Sequence, residues 1–294
     1  MRDQAQNLRK VMEHNKEDIK RHTKVISVIS GKGGVGKSNI SLNFSLSLAE
    51  QGKKVLLFDL DIGMANLDIL MGLMPSSHVV DVIEHDRSIW DIMEEGPCGI
   101  QLIAGGSGLT KVFEMTAAKQ DRFSQQMALL DGCFDFIVFD MGAGASEDGL
   151  NFILASNETI IITTPEPTSI TDAYAMLKYI HSKDPFLTSS ILVNRTESNI
   201  EGKQTAENLQ RVARRFLEKE LSILGSVPYD KHVLKAVKQQ SPFRLKYPAS
   251  PAAKAIKACA NSFIGKENLP EKKPAFRQFL TQMKGFLKRG PKND

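Results

Sequence analysis

The chain is poor in cysteine: Cys98, Cys133 and Cys259 are its only three in 294 residues, odd in number and far apart. With no C-x-x-C pair, the pattern argues against a zinc site, an iron–sulfur cluster or a redox dithiol, and the three read as buried thiols. Long apolar runs are absent too. Nothing approaches the roughly 18–20 residues of a membrane-spanning helix, and the charged N-terminus is unlike a signal peptide, so the expected location is the cytoplasm. There is little excess charge of either sign. The formal net charge is +4, and residues 266–294 alone carry eight basic against three acidic residues, which leaves the body near neutral. A near-neutral body does not suit nonspecific nucleic-acid binding, so DNA is not an expected partner. No internal repeat or low-complexity stretch precedes residue 266. A hydrophobic content of 41% with 24% charged residues is that of a soluble globular protein.

What the sequence does contain is an alternation of apolar strands and longer helical stretches from Lys24 onward. Strands are expected near residues 25–30, 54–59, 100–103, 135–140, 158–164, 189–194 and 222–227. VISVIS, VLLFDL and FIVFD are apolar on both faces, which predicts a doubly wound α/β fold: a mostly parallel sheet with helices on both sides. Residues 1–23 read as an amphipathic extension, 24–265 as the main domain, 266–274 as a linker with two prolines, and 275–294 as a basic amphipathic helix.

The first strand runs into GKGGVGKSN. Gly31, Gly36, Lys37 and Ser38 satisfy G-x-x-x-x-G-K-S/T between a strand and a helix, the setting of a loop that holds the phosphates of ATP or ADP with magnesium. Gly31, Lys32, Gly33, Gly34, Val35, Gly36, Lys37, Ser38 and Asn39 would line the phosphates. Backbone N–H groups and the helix N-terminus supply positive charge, Lys37 reaches the β and γ oxygens, and Ser38 ligates the metal. Asp59 and Asp61 lie at the C-terminal edge of the next strand, where both can face a nucleotide or simply cap a turn. Asp140 ends FIVFD as a Walker B aspartate that binds magnesium through water, followed by Gly142 and Gly144, which let a switch segment swing. Asn194 ends a later strand with an amide able to pair with an adenine edge or to serve as a turn residue. No N-K-x-D string occurs, which favours ATP over GTP. Gly105, Gly106 and Gly108 read as a plain loop.

The full GKGGVGKS string resembles the deviant Walker A loop of the MinD/ParA family. By itself Lys32 is an exposed lysine; the resemblance implies that it crosses a dimer interface to the partner's nucleotide, as an arginine finger does, making Lys32, Lys37 and Asp61 the catalytic set. It further implies a switch I segment with Asp61, Gly63 and Asn66, in which Asp61 positions water and Asp59 helps hold the magnesium shell. Pro228 and Asp230 would bracket adenine. The cysteine pattern disfavours the reductase and iron–sulfur branches; a MinD- or ParA-type positioning or partition ATPase stands as the alternative, although the neutral body suits DNA poorly.

DIGMANLDILMG and the N-terminal RDQAQNLR are similar to segments of the MinD-like flagellar regulators of the FlhG (FleN/YlxH) group. That resemblance implies that Asp3, Gln4, Ala5, Leu8 and Arg9 form an activator element for the partner GTPase FlhF, of the signal-recognition-particle type. It also implies contacts to basal-body or C-ring components of the flagellum, for which the helix over 168–183, with Asp172 and Lys178, is a candidate surface. At the other end Phe276, Phe279, Leu280, Met283, Phe286 and Leu287 recur every three or four residues, with Lys284 and Lys288 between them. Such a helix buries its apolar face on protein or lies in an anionic membrane surface. The expectation is ATP-dependent homodimerisation and peripheral attachment to the inner face of the cell membrane.

Overall fold

The computed structural model describes residues 23–61, 66–106, 116–144, 147–267 and 275–287. Its centre is an eight-stranded sheet ordered β3-β4-β2-β5-β1-β6-β7-β8. The strands are β1 Lys24–Ser30, β2 Val55–Leu60, β3 Met93–Glu95, β4 Gln101–Ile103, β5 Phe136–Met141, β6 Glu158–Thr163, β7 Thr188–Thr196 and β8 Ser222–Pro228. All neighbours pair in parallel except β3 with β4. The seven expected strands are present. β3 is the addition: Met93, Glu94 and Glu95 on the antiparallel edge, the first two half-buried and the third exposed, form no apolar run that a sequence reading could detect.

Both faces of the sheet are buried because successive residues of each strand face opposite layers. Val25 and Ile29 join one core and Ile26 and Val28 the other; Phe139 and Val138 divide in the same way. Helices α1 (Lys37–Ala49), α2 (Leu67–Met71), α8 (Lys231–Lys238), α9 (Phe243–Lys246) and α10 (Pro251–Glu267) cover one face. The other carries α3 (Val79–Glu84), α4 (Ala117–Ala128), α5 (Glu147–Ala155), α6 (Pro167–Lys183), α7 (Asn199–Leu217) and α11 (Ala275–Leu287). Helix α1 is buried nearly all round; Ser47 donates its hydroxyl to the Asn43 carbonyl one turn back, whereas the buried Ser45 hydroxyl has no partner among the described residues.

Helix α11 joins this body. Phe276, Phe279 and Met283 are 1%, 0% and 1% exposed. The Phe279 ring lies 5.6 Å from that of Phe139 on β5, which in turn meets Phe152 on α5 at 5.8 Å. Leu280 packs against the same core. Of the two destinations expected for the apolar face, this one is protein. Lys284, Phe286 and Leu287 lie on the helix, but their side chains are outside the described residues, as is Lys288. Three further expectations fall outside: the linker beyond Glu267, Gly63, and the N-terminal element with Asp3, Gln4, Ala5, Leu8 and Arg9.

The cysteine expectation is corrected. Cys259 is buried, Cys133 half-buried and Cys98 exposed, because Cys98 sits in a left-handed surface turn (φ 57°) rather than against the core.

Candidate functional site: the phosphate loop at the centre of the sheet

The strand order reverses at β1, flanked by β5 and β6, so the C-terminal end of β1 opens on a crevice where doubly wound sheets bind ligands. Residues 31–36 fill that position and lead into α1. The helix starts without a side-chain cap and without an acidic residue in its first turn, so its N-terminal amides keep their affinity for an anion. Two glycines are obligatory. At Gly36 φ is 89° and a Cβ would stand 2.5 Å from Asn194 Nδ2; at Gly31 it would lie 2.2 Å from the backbone of Asp172 on α6. Helix α6 therefore packs directly on the loop's entry, which places the half-buried Asp172 at the site's back wall while Lys178 faces solvent. Gly33 and Gly34 are exposed and Val35 is core; Ser38 and Asn39, half-buried, form the first turn of α1.

Lys37 is 6% exposed and surrounded by carboxylates. Its Nζ donates to Asp140 Oδ1 at 2.8 Å, lies 3.8 Å from Asp61 Oδ2, and reaches Ser38 Oγ at 3.4 Å. Ser41, which sequence reasoning passed over as an ordinary helix residue, also donates to Asp140 Oδ1 at 2.7 Å. The other oxygen, Asp140 Oδ2, is buried with no hydrogen-bond partner, an uncompensated acceptor in the middle of the site.

Asp59 is placed differently from the expected metal-shell residue. Its Oδ1 accepts from Asp61 N at 3.0 Å, and its Oδ2 accepts from Asn66 N at 3.1 Å and Leu67 N at 3.3 Å. It fastens both ends of the Asp61–Asn66 segment and caps α2. Burial first, then the charge of Asp140, pushes the Asp59 carboxyl up to about 7, and burial also raises Asp61. The folded protein thus holds a proton at Asp59 that the unfolded chain releases near 3.8. This contribution to stability is complete below that value and lost as the pH rises through about 7. In magnesium-free buffer, urea midpoints should fall between pH 5 and pH 8, and Asp59→Asn should flatten that slope; an unchanged slope would contradict the assignment.

Lys32 turns away from its own loop. Its Nζ donates to Glu166 Oε2 at 2.7 Å and to Thr168 Oγ1 at 3.0 Å, at the start of α6. The hydrogen bond and charge of Lys32, with a weaker contribution from Arg195, hold the Glu166 carboxyl below its usual range. Neither Glu166 nor Thr168 carries a local sequence signal, since they belong to a turn that meets the loop only in the folded chain. Gly142 follows β5, and Gly144 (φ 82°) donates its N–H to Ser30 O at 3.0 Å, tying the end of that segment to β1.

At the base side, Asn194 Nδ2 donates to Val35 O at 2.8 Å, leaving its amide oxygen as the group available to a ligand. Pro228 closes β8 half-exposed. Asp230, expected beside adenine, is instead a structural clasp. Its Oδ1 accepts from His232 N at 2.9 Å and its Oδ2 from Ala252 N at 3.2 Å, so one carboxylate caps α8 and α10 together.

Sequence comparison matches residues 21–264 to a ParA family model described as NUBPL iron-transfer P-loop NTPase. The chain belongs to the ParA/MinD family of P-loop ATPases. It is 36% identical to the antiactivator FleN of Pseudomonas aeruginosa over 236 residues, 80% of this chain and 84% of that one. The flagellum site-determining protein YlxH of Helicobacter pylori is 35% identical over 251 residues, 85% of this chain and 84% of that one. Among solved structures, the septum site-determining protein MinD of Pyrococcus horikoshii, complexed with Mg-ADP, superposes with a TM-score of 0.70 at 25% identity, covering 85% of this chain and all of that one. As a member of this family the chain is an ATPase. Iron transfer, named in the family description, has no ligand set here: among the described residues no group of three or more His, Cys, Asp or Glu could hold a metal ion. Nor is any described helix long and apolar enough to cross a membrane.

Proposed function

We propose that the chain is an ATP-driven switch of flagellar number and placement, which dimerises with ATP, sits on the inner face of the cell membrane as a dimer, and is released by slow hydrolysis. The observation that carries this reading is the seat of Lys32: a lysine of the phosphate loop held at 2.7 Å by Glu166, outside the carboxylate cluster that Lys37 serves. A second copy meeting the same crevice would take Lys32 from Glu166 to its own phosphates. The flagellar assignment draws on the similarity to FleN and YlxH. Light scattering in ATP, ADP and no nucleotide tests the core of it; a chain that stays monomeric in ATP would overturn it.

Magnesium fits the residues present. Ser38 Oγ and the unpartnered Asp140 Oδ2 are the oxygens that would hold it. Such an ion shares its coordination with phosphates and water. When bound it neutralises phosphate charge. The chain's own groups do the remainder: Lys37 leaves Asp140 for the phosphate oxygens, Asp61 orients the attacking water, and Asp59 keeps the Asp61–Asn66 segment registered on β2.

Membrane attachment requires α11 to leave its seat, since Phe276, Phe279 and Met283 cannot be in lipid and in the core together. Phe279 rests on Phe139, the neighbour of Asp140, and α5, which Phe139 also touches, follows the Gly142–Gly144 turn. Movement of that turn with the γ-phosphate is thereby coupled to the seat of the helix. Two released helices on a dimer bind a surface far better than one.

The N-terminal element would stimulate FlhF, and the outward face of α6 would meet a basal-body or C-ring component. A peptide of residues 1–22 should accelerate the GTPase of FlhF, and Gln4→Ala should remove that effect. A rate unaltered by the wild-type peptide would remove the activator role.

A further inference from the structure

The near-neutral charge of the body is the sum of two opposite parts. Residues 1–230 carry 23 basic and 31 acidic side chains, whereas residues 231–265 carry Lys231, Lys235, Lys238, Arg244, Lys246, Lys254 and Lys257 and no acidic one. The fold puts that second stretch into one layer, since α8, α9 and α10 cover the same face of the sheet. Asp230 holds the two longer helices together by capping α8 at His232 N and α10 at Ala252 N. The His232 ring also meets that of Tyr247, just past α9, at 4.8 Å. The positive charge is thereby gathered on one braced surface.

Burial sorts the side chains within each helix. On α10, Ala253, Ile256, Ala260 and Phe263 are buried, which leaves Lys254 and Lys257 outward. On α8, Ala236 is buried, while the exposed Lys231, Leu234, Lys235 and Lys238 recur at spacings of three and four along one face. Lys246 on α9 is exposed as well. Arg244 differs: it is buried and donates to Glu50 Oε2, at the end of α1, at 2.7 Å. The nearest acidic groups of this layer are therefore engaged, Glu50 by that arginine and Asp68 on α2 by the amide of Ile69 at 2.8 Å. None of the six exposed lysines makes an ion pair with a described residue. Unneutralised lysines spread over three helices act as point charges, which suits phosphates presented across a surface rather than one shaped anion.

Two observations select a lipid surface. Leu234 is 57% exposed among three lysines; the headgroup boundary of a bilayer offers its side chain an apolar region to enter, and a nucleic-acid phosphate backbone offers none. In addition, α10 leads into α11 through residues 268–274, a stretch that spans at most about 25–30 Å. A helix α11 that has left its seat and lies in a membrane thus brings α10 to the same surface. We propose that the lysine face of α8, α9 and α10 is a second contact with an anionic membrane, acting together with α11. The inference rests on the membrane-attachment reading and adds to it a face of the body that orients the bound protein. Once either contact forms, the other is an intramolecular event, so two weak contacts hold where one would not.

The test is co-sedimentation of the full chain in Mg-ATP with vesicles of phosphatidylglycerol and phosphatidylcholine, comparing wild type with Lys235→Gln/Lys238→Gln/Lys257→Gln. A charge-matched control, Lys178→Gln/Lys183→Gln/Lys203→Gln, removes three exposed lysines from α6 and α7 on the other layer. The face variant should bind vesicles about 100-fold more weakly, about fivefold for each lysine, with its thermal midpoint and its ATP turnover without lipid unchanged. The control should bind as wild type does. A face variant that binds like wild type, while deletion of 275–294 abolishes binding, overturns the lysine face and leaves the membrane reading intact. An equal loss in the control also overturns it, because net charge alone would then account for the effect. Retention of a DNA duplex by wild type that the face variant loses, with vesicle binding unchanged, assigns the face to nucleic acid instead. Failure of the wild-type chain to sediment with vesicles in ATP overturns the membrane reading, and the lysine face with it.

Discussion

Lys32→Ala should lower ATP turnover by about 10³-fold, the lower end of what a charge supplied across an interface contributes to phosphoryl transfer. The same variant should bind ATP as a monomer with nearly unchanged affinity. The separation of the two effects follows from where the lysines point. Lys37 is the buried cation among Asp140, Asp61 and Ser38, the lysine we propose for the chain's own phosphates. Lys32 is anchored outward on Glu166 and Thr168, and its loss removes nothing from that cluster. Wild-type specific activity should rise with protein concentration, because the second copy brings the missing charge, whereas that of Lys32→Ala should not. Measured kcat against concentration, with ATP Kd determined separately, checks both parts. A Lys32→Ala protein that dimerises in ATP and hydrolyses at the wild-type rate would rule out the cross-interface role.

Removing residues 275–294 should have two effects that an appended membrane tag would not produce together. The first is loss of co-sedimentation with anionic vesicles in ATP. The second is destabilisation of the body itself. Phe276, Phe279 and Met283 are essentially fully buried, and each such side chain contributes about 1.5–3 kcal/mol by burial, partly offset by the entropy of ordering the helix. A net loss of about 2 kcal/mol corresponds at this size to a melting temperature lower by roughly 4–8 °C. The uncovered groove, lined by Phe139 and Phe152, should also bind a hydrophobic dye. A truncated chain with an unchanged melting temperature would mean that α11 does not stabilise the body. Vesicle binding that survives truncation would place the membrane contact elsewhere.

Most of the architecture is legible in the sequence because it is written in local patterns. Strands buried in the sheet are rich in apolar residues, and seven of the eight are legible from such runs; the three-residue β3, Met-Glu-Glu, has none. The phosphate loop is equally visible, since its glycines and Lys37 are required by backbone geometry that involves few other residues. Asp59, Asp61 and Asp140 can be found at strand ends, yet their division of labour cannot. Asp59 has the same local surroundings whether it holds a metal shell or three backbone amides, and only the placement of Asp61, Asn66 and Leu67 shows that it holds the amides.

What the sequence by itself determined is the sheet, the phosphate site at its central strand and the two chemically distinct ends of the chain. Each depends on interactions within a few residues or on burial repeated along one element. The tertiary structure alone decided which groups complete the site: Ser41 and Lys37 on Asp140, Glu166 and Thr168 on Lys32, Asn194 on Val35, and Asp230 drawn away to cap two helices. It also decided that α11 rests on Phe139. Most of these contacts join residues about 100 or more positions apart. No local spacing encodes them, because they exist only once the parallel strands have brought their ends to one edge.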